Sequence, residues 1–285
     1  MAASASLFGL MAISIRFASK QQHPFEIAFF RCLFGAIFAL PLLHVHGLEI
    51  LRTRRIGFYL ARCGVGIVSM LCGFWALVHL PLAQAVALSY STPLFVTIGA
   101  VVALGEVVRM RRWSAVIIGF IGVIVIVRPT AADFSSATLV ALVAALLSGM
   151  VTISIKYLSR TDPPDRIVLL TTLLWVPLSL PAALTVWKWP DATIWPWLIL
   201  SGVLGTGGHY CWTRALKMAE ASALAPLSYL QLLVVGVLAW AVFGETVDRY
   251  TVIGAAIVIC ASLYIARREA RVAKNAVIGK SKPQL

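Results

Sequence analysis

Five basic residues lie inside long apolar segments of this sequence, namely Arg16, Arg31, Arg62, Lys156 and Arg214. All eleven acidic residues lie instead at the ends of these segments or in the gaps between them. Placing a charge in a membrane core costs about 2.5–3.5 kcal/mol on insertion scales, so residues that stay there usually face a cavity. Arg31 lies deepest, about 10 Å from the start of its segment at 1.5 Å per residue. These residues predict an electropositive path that suits a carboxylate, although snorkelling towards the interface is the alternative, above all for the other four.

Aromatic and polar side chains concentrate in four of the apolar segments, and with Arg31 they form the predicted binding set. An apolar wall with a few placed polar groups suits a small amphipathic molecule. Packing or an interfacial belt is the alternative for the aromatic residues, and we favour it for the tryptophans at 187, 189, 195 and 197. The predicted set comprises Arg31, Trp75, His79, Gln84, Tyr90, Ser91, His209, Tyr210, Trp212, Tyr229 and Gln231.

Motifs for nucleotide, metal or nucleophilic chemistry are missing from the sequence. The glycine-rich stretch 202–208 has no following Lys-Ser/Thr, so it fits close helix packing better than a phosphate cradle. His44, His46 and Glu49 lie at one segment end with no matching cluster, and we interpret them as interfacial residues. The sequence therefore predicts no enzyme, no metal site and no cofactor.

The composition is that of a membrane protein. Hydrophobic residues make up 60% of the 285 residues and charged residues only 12%, with a mean hydropathy of +0.92. Soluble domains carry about 25% charged residues, so the deficit excludes an ordinary soluble enzyme and a disordered chain. The net charge of +13 could suggest nucleic acid, but the basic residues occupy short gaps between apolar runs, which is how membrane proteins distribute them. The five cysteines fall inside apolar runs and are predicted to be buried thiols.

Ten apolar segments are each about long enough to cross a bilayer as a helix. A spanning helix needs about 20 mostly apolar residues, and runs of this length are not strands, so the predicted fold is an all-α membrane protein with ten transmembrane helices. A basic tail, 267–285, follows the last segment. The predicted segments are 2–19, 24–46, 58–79, 82–104, 112–128, 136–158, 166–187, 193–217, 220–243 and 249–266.

The gaps between the segments predict the orientation. Fifteen Lys and Arg residues lie on the side that would hold both termini, against four on the other side. Because basic residues accumulate in cytoplasmic loops, we expect a multi-pass protein of the cell inner membrane with both termini in the cytoplasm.

The two halves of the sequence resemble each other at a nearly constant offset. Residues 9–20 match 149–160 at an offset of 140, including the sequence Ile-Ser-Ile. Residues 76–106 match 215–245 at an offset of 139, with ten identities over 31 positions. The predicted repeats are 1–128 and 136–266, with five helices each. Because five is odd, the second repeat enters the membrane upside down, an arrangement that secondary transporters use for alternating access.

Further matches within this repeat resemble one known family. Arg16 matches Lys156 near the ends of helices 1 and 6, and Gly105-Glu106 matches Gly244-Glu245 at the ends of helices 4 and 9. With ten helices in two repeats, the chain resembles the EamA family of the drug/metabolite transporter superfamily. Arg31 also fits that family, although its counterpart in the second half is Thr171. The Gly-Glu pairs are interpreted as helix-ending and adjacent to a gate.

The resemblance implies a carrier with no ATPase of its own. The family includes exporters of amino acids and other metabolites, so the first expectation is export of small amphipathic metabolites, above all amino acids. The alternatives are a carrier of another solute, such as a nucleotide-linked metabolite or a cationic drug, and a non-transporting scaffold or receptor. The expected partners are a small-molecule solute and the lipid bilayer, with no nucleic acid. Proton coupling and facilitated diffusion both stay open, and the sequence sets no oligomeric state.

Overall fold

A computed structural model of the chain describes residues 2–53, 55–92, 94–96, 98–99, 110–127, 135–158, 161–218 and 230–280. The described part contains helices and connections but no strand. A short 3₁₀ helix, Leu48–Leu51, lies between the second and third helices. The α-helices are α1 Ala2–Ala18, α2 Pro24–His46, α3 Ile56–His79, α4 Leu82–Ser89, α5 Met110–Val127, α6 Ser136–Leu158, α7 Pro164–Leu184, α8 Trp195–Met218, α9 Leu230–Phe243 and α10 Arg249–Lys280.

The fourth predicted segment is interrupted in its middle. The chain turns at Tyr90 and Ser91, and helical residues resume at Thr92. Residue 93 is a proline, which has no N–H to donate to the carbonyl of Ser89. The Thr92 hydroxyl donates to that carbonyl instead, at 2.7 Å. The Thr92 side chain therefore satisfies the Ser89 carbonyl at the interruption.

The tenth helix is longer than its predicted segment. The sequence predicts that the span ends at 266, whereas α10 continues to Lys280. Alanine, arginine, glutamate and lysine dominate residues 267–278, and all four have high helix propensities. The predicted basic tail is thus largely a continuation of the helix, with 281–285 outside the described residues.

The outside of the bundle is apolar, as a lipid-facing surface must be. Four isoleucines of α5, at 117, 118, 121 and 124, are each more than half exposed. Four described helical stretches are long and apolar enough to cross a membrane: Pro24–Pro41, Ile56–His79, Ser136–Ile155 and Asp165–Leu184. Shorter apolar helical stretches occur at Ala2–Ala18, Trp113–Val127, Val234–Phe243 and Arg249–Ala261.

The helix packing follows the sequence repeat, in which α1–α5 correspond to α6–α10. α1 packs on α8, and the corresponding α6 packs on α3. α2 packs on its own counterpart α7, and α5 on its counterpart α10. The last pair touches closely, because a Cβ atom on Gly122 would lie 2.9 Å from the carbonyl oxygen of Gly254. These contacts between the halves thus recur with the roles exchanged, which is the pattern that two related halves produce.

One end of the bundle, called here the predicted cytoplasmic end, carries the connections α2–α3 and α6–α7. Asp162 links them: it accepts from the Tyr59 hydroxyl at 2.9 Å and pairs with Arg166 at 3.2 Å. The Nε of Arg166 donates to the carbonyl of Ile50 at 2.9 Å. The connections α1–α2, α3–α4, α7–α8 and α9–α10 lie at the opposite end, called the predicted outer end.

Candidate functional site

Arg31 is buried at the centre of the bundle, with only 6% of its surface exposed. Its Nη1 lies 3.3 Å from the sulfur of Met70 on α3, and its guanidinium lies 5.4 Å from the ring centroid of Trp175 on α7. On α8, a Cβ atom at Gly205 would lie 2.8 Å from the Arg31 Nε. A side chain at residue 205 would therefore displace the guanidinium from this position.

Trp175 lies against a second glycine and next to two further rings. A Cβ atom on Gly66 of α3 would lie 3.3 Å from the indole Nε1. The ring of His209 on α8 contacts Trp175 edge-on at 6.1 Å, and Phe8 of α1 contacts His209 at 5.1 Å. Aromatic rings from three helices thus converge beside Arg31.

Arg62 on α3 is a second buried guanidinium, also 6% exposed. Its Nη1 donates to the Thr171 hydroxyl of α7 at 2.6 Å and lies 3.8 Å from the sulfur of Cys63. Gly66 and Trp175 follow Arg62 and Thr171 by one turn on their helices. The Arg62–Thr171 contact is therefore the next level of the same α3–α7 interface, one turn closer to the predicted cytoplasmic end.

Three side-chain N–H groups of this region have no acceptor. They are the Nε of Arg31, the Nε of Arg62 and the Nε1 of Trp175, and no other buried side-chain nitrogen or oxygen in the described part lacks a partner. Within that part, neither arginine forms an ion pair. An unsatisfied buried donor costs about 1–3 kcal/mol, and more when it is charged. We call Arg31, Arg62, Trp175 and His209 the central site; chemically, it can bind a flat solute rich in hydrogen-bond acceptors.

Two residues of the predicted binding set, Arg31 and His209, meet in the central site. Three others lie at the predicted outer end instead. The rings of Trp75 and His79 stack at 3.9 Å in the last turns of α3. His79 and Gln84 line a cavity of about 310 Å³ at that end. These residues could contact a solute on its way in or out, but they do not touch the central site.

The remaining predicted residues lie elsewhere or outside the described part. Tyr90 is half-buried and packs against apolar clusters beside α4. Ser91 is fully buried, and its hydroxyl donates to the carbonyl of Leu88 at 2.6 Å. Trp212 is 37% exposed, whereas Tyr210 and Gln231 are half-buried, and Tyr229 lies outside the described residues. For all of them, solute contact stays a prediction.

Sequence reasoning missed Trp175 and misjudged Arg62. Trp175 lies about eleven residues into α7, far from the helix ends where the other α7–α8 tryptophans lie. Snorkelling is the alternative that its sequence position favours for Arg62, yet Arg62 bonds to Thr171 inside the protein. Its place about six residues inside α3 was the available signal.

The predicted outer end is held together by Arg16 at the end of α1. Its Nη2 pairs with Glu245 at 2.8 Å, with both side chains about one-fifth exposed. Its Nη1 donates to the carbonyls of Leu77 and Val78 at the end of α3. The other oxygen of Glu245 accepts the Leu82 N–H at 2.9 Å, at the start of α4. Arg16 therefore binds protein groups at the ends of α3 and α9 instead of reaching towards lipid headgroups.

Gly244 ends α9 and so places Glu245. Its φ of +67° is a left-handed conformation that glycine adopts without strain. The Gly244 N–H bonds to the carbonyl of Trp240, which is the pattern of an αL cap, and the Glu245 N–H bonds to the carbonyl of Ala239. The helix-ending role predicted for this Gly-Glu pair is thus observed. The equivalent Gly105-Glu106 lies outside the described residues.

Aromatic rings pack beneath this ion pair. Phe17 stacks on Trp197 of α8 at 4.2 Å and contacts Phe243 of α9 at 5.0 Å. Lys20 lies over both phenylalanine rings, 5.1 Å and 5.9 Å from their centroids. The rings and the ion pair together close the space between α1, α8 and α9 at the predicted outer end.

Comparison with known proteins identifies relatives along most of the chain. The riboflavin transporter of Vibrio cholerae is 32% identical over 248 residues, which cover 86% of this chain and 83% of that protein. The S-adenosylmethionine uptake transporter of Rickettsia felis is 32% identical over 253 residues, which cover 88% and 85%. The pseudopaline exporter of Pseudomonas aeruginosa is 25% identical over 271 residues, which cover 91% and 92%.

A solved structure and a family model extend these similarities. A crystal structure with 20% sequence identity superposes with a TM-score of 0.62 over 93% of this chain and 98% of that one, which supports the fold alone. The model of the EamA-like transporter family matches residues 1–128 and 135–267. With two family matches that together span nearly the whole sequence, this chain belongs to the EamA-like transporter family.

Proposed function

We propose that this membrane transporter carries riboflavin, or a flavin of closely similar structure, into the cell. One observation carries the proposal: three buried N–H donors, on Arg31, Arg62 and Trp175, lie at neighbouring levels of the bundle and have no acceptor. An unpaired charge is expensive in a membrane protein and usually marks a functional site. A solute that brings acceptors to these donors removes the cost while it is bound.

Riboflavin carries the hydrogen-bond acceptors that this site lacks. Its flat ring system is uncharged and carries carbonyl oxygens and ring nitrogens, which accept hydrogen bonds along one edge. The guanidinium of Arg31 and the indole of Trp175, 5.4 Å apart, can donate to such an edge. The rings of Trp175 and His209 provide flat apolar surfaces against which the flavin can stack.

The solutes named for other relatives, and the amino acids expected from the sequence, fit this site less well. S-adenosylmethionine carries a sulfonium and an ammonium group, and two buried guanidiniums repel a net cation. An amino acid offers a carboxylate to Arg31, but its ammonium needs acceptors, and no carboxylate in the described part pairs with either arginine of the site. None of the relatives reported above is named for amino-acid export. We therefore favour a neutral, acceptor-rich solute.

Transport by alternating access is the mechanism that this architecture supports best. Arg16 and Glu245 join α1, α3, α4 and α9 at the predicted outer end, so the state described is closed on that side. The two halves pack with exchanged roles, so an equivalent state closed on the other side has a physical basis. The excess of basic residues in the gaps supports cytoplasmic termini, and the bacterial relatives support the inner membrane.

Counterflow into liposomes that contain the purified protein tests this function. Vesicles preloaded with riboflavin should accumulate labelled riboflavin, whereas vesicles preloaded with S-adenosylmethionine or with the twenty amino acids should not exchange those solutes. Arg31→Gln should abolish riboflavin counterflow. Arg52→Gln, which changes an arginine that pairs with Glu49 on the surface, should leave it intact. Counterflow of S-adenosylmethionine or of an amino acid without counterflow of riboflavin would refute the flavin proposal and identify the alternative solute.

A further inference from the structure

Arg62 contacts the residue that corresponds to Arg31 in the second half of the repeat. At the offset of 140, Arg31 of α2 corresponds to Thr171 of α7. Thr171 carries no charge, but its hydroxyl accepts from the buried Nη1 of Arg62 at 2.6 Å. Arg62 of α3 therefore places a guanidinium at the position where the second half has no arginine of its own.

These positions lie at matching depths from opposite ends of the bundle. Arg31 is about seven residues from the start of α2 at the predicted outer end, or about 10 Å. Thr171 is about seven residues from the start of α7 at the predicted cytoplasmic end, also about 10 Å. In a hydrocarbon core of about 30 Å, the two guanidiniums are then separated by about 10 Å along the membrane normal.

Trp175 lies between these two levels. It is one turn beyond Thr171 along α7, and its ring centroid lies 5.4 Å from the Arg31 guanidinium. A flat ring system that contacts the indole and Arg31 therefore has Arg62 on its other side, towards the predicted cytoplasmic end.

From this arrangement we infer that Arg62 is a specificity-determining residue that binds a second acceptor group of the solute. The site then selects a class of molecule: a flat ring with an acceptor edge, joined to a hydroxyl-bearing or otherwise acceptor-bearing tail that reaches about 10 Å from Arg31. In riboflavin this tail is the polyol chain. The inference rests on the proposed function, because it assigns the two ends of the solute to the two arginines.

A purely structural role for Arg62 explains the geometry less well. Its Nη1 bonds to Thr171, but its Nε lacks an acceptor although the side chain is buried. A pair of apolar residues would join α3 to α7 without the cost of burying a charge. The unused donor is what a second solute contact requires.

Competition between riboflavin and lumichrome, the alloxazine analogue of the flavin ring without the polyol tail, tests this assignment. In proteoliposomes, Arg62→Gln should raise the KM for riboflavin at least about tenfold and leave inhibition by lumichrome within about twofold, because only the tail loses a partner. Arg31→Gln should weaken both ligands at least about tenfold. Arg62→Lys, which keeps the charge and spares folding, should give an intermediate KM and unchanged lumichrome inhibition. Arg52→Gln is the matched control, and the amount of each variant in the vesicles is measured by immunoblot.

The outcomes distinguish failure of the Arg62 assignment from failure of the proposed function. If the wild-type protein transports riboflavin but neither Arg62 variant changes the KM, or if both weaken lumichrome as much as riboflavin, the assignment of Arg62 is wrong and the proposed function stands. If the wild-type protein neither transports riboflavin nor is inhibited by lumichrome, the proposed function fails and the ring-and-tail class fails with it.

Discussion

Replacement of Glu245 by glutamine should open the predicted outer end more often. Glutamine keeps an oxygen that can accept the Leu82 N–H, so the main loss is the charge-assisted bond to Arg16 at 2.8 Å. Such bonds contribute about 1.5–3 kcal/mol, and we take the lower value because the two side chains are 23% and 21% exposed. About 1.5 kcal/mol corresponds to a roughly tenfold shift in the equilibrium towards the state open at this end.

A cysteine placed at Ala12 reports this opening. Ala12 is 2% exposed and packs in an apolar cluster with Leu82, Val86 and Val235, where α1 meets α4 and α9. In intact cells, a membrane-impermeant maleimide should label Ala12→Cys about tenfold faster when Glu245→Gln is also present. The protein without the introduced cysteine gives the background from the native thiols.

A matched control separates gate opening from a general loss of stability. Glu49→Gln removes the acid of an ion pair with Arg52 that is 81% exposed, and it should leave labelling at Ala12 unchanged. Equal labelling rates with and without Glu245→Gln would refute the assignment of this ion pair to the outer gate. A comparable acceleration by Glu49→Gln would show that labelling reports loosening of the fold.

Three further predictions concern single side chains. Gly205→Ala should lower riboflavin affinity about tenfold, because its Cβ would lie 2.8 Å from Nε of Arg31 and overpacking costs about 1–3 kcal/mol. Gly207→Ala is the control: its Cβ would have its nearest atom at 3.7 Å, so affinity should be unchanged, and equal effects of the two variants would contradict the contact between Gly205 and Arg31. Trp175→Phe keeps a ring but loses the unpaired N–H, so the KM for riboflavin should rise about two- to tenfold, and an unchanged KM would show that the indole donates to no solute. Burial lowers the pKa of His23, so the folded state favours the neutral imidazole. The contribution of His23 to stability is therefore present above about pH 6.5 and declines as the pH falls through the lowered pKa. Thermal unfolding at about pH 7.5 and 5 should show less pH dependence for His23→Asn than for the wild-type protein, and equal dependence would exclude His23 as the cause.

The helices were largely predictable because the sequence marks their ends. Pro24 and Pro164 are the first residues of α2 and α7, the position at which a helix best accepts proline. The predicted bounds of α2 and α6 match the structure at both ends. The continuation of α10 to Lys280 was not predicted, because hydropathy locates the membrane boundary and gives no signal where a polar helix extends beyond it.

The central site was only half predictable. Arg31 and His209 stand out because charged and imidazole groups are rare in apolar runs. Trp175 does not stand out, since an indole in a transmembrane helix commonly serves packing or an interface. The bond between Arg62 and Thr171 joins residues 109 positions apart and depends on how α3 packs against α7, which composition and periodicity do not reveal.

The sequence predicts the class of function better than it predicts the solute. The repeat of residues 76–106 in 215–245 and the odd number of helices per half predict an inverted architecture and hence a carrier. The solute depends on a few contacts such as that between Arg31 and Trp175, which form only in the folded bundle. The amino-acid expectation followed from the family resemblance and from embedded basic residues that suit a carboxylate, and neither of these reveals the unpaired indole beside Arg31.

The central claim is that the unpaired donors around Arg31 and Trp175 form the solute site. Quenching of flavin fluorescence on addition of purified protein measures this directly, because a flavin stacked against an indole loses its emission. The account predicts saturable quenching of riboflavin by the wild-type protein, at least about tenfold weaker binding by Arg31→Gln, and wild-type binding by Arg52→Gln. Wild-type affinity in Arg31→Gln, or the absence of saturable quenching by the wild-type protein, would contradict it.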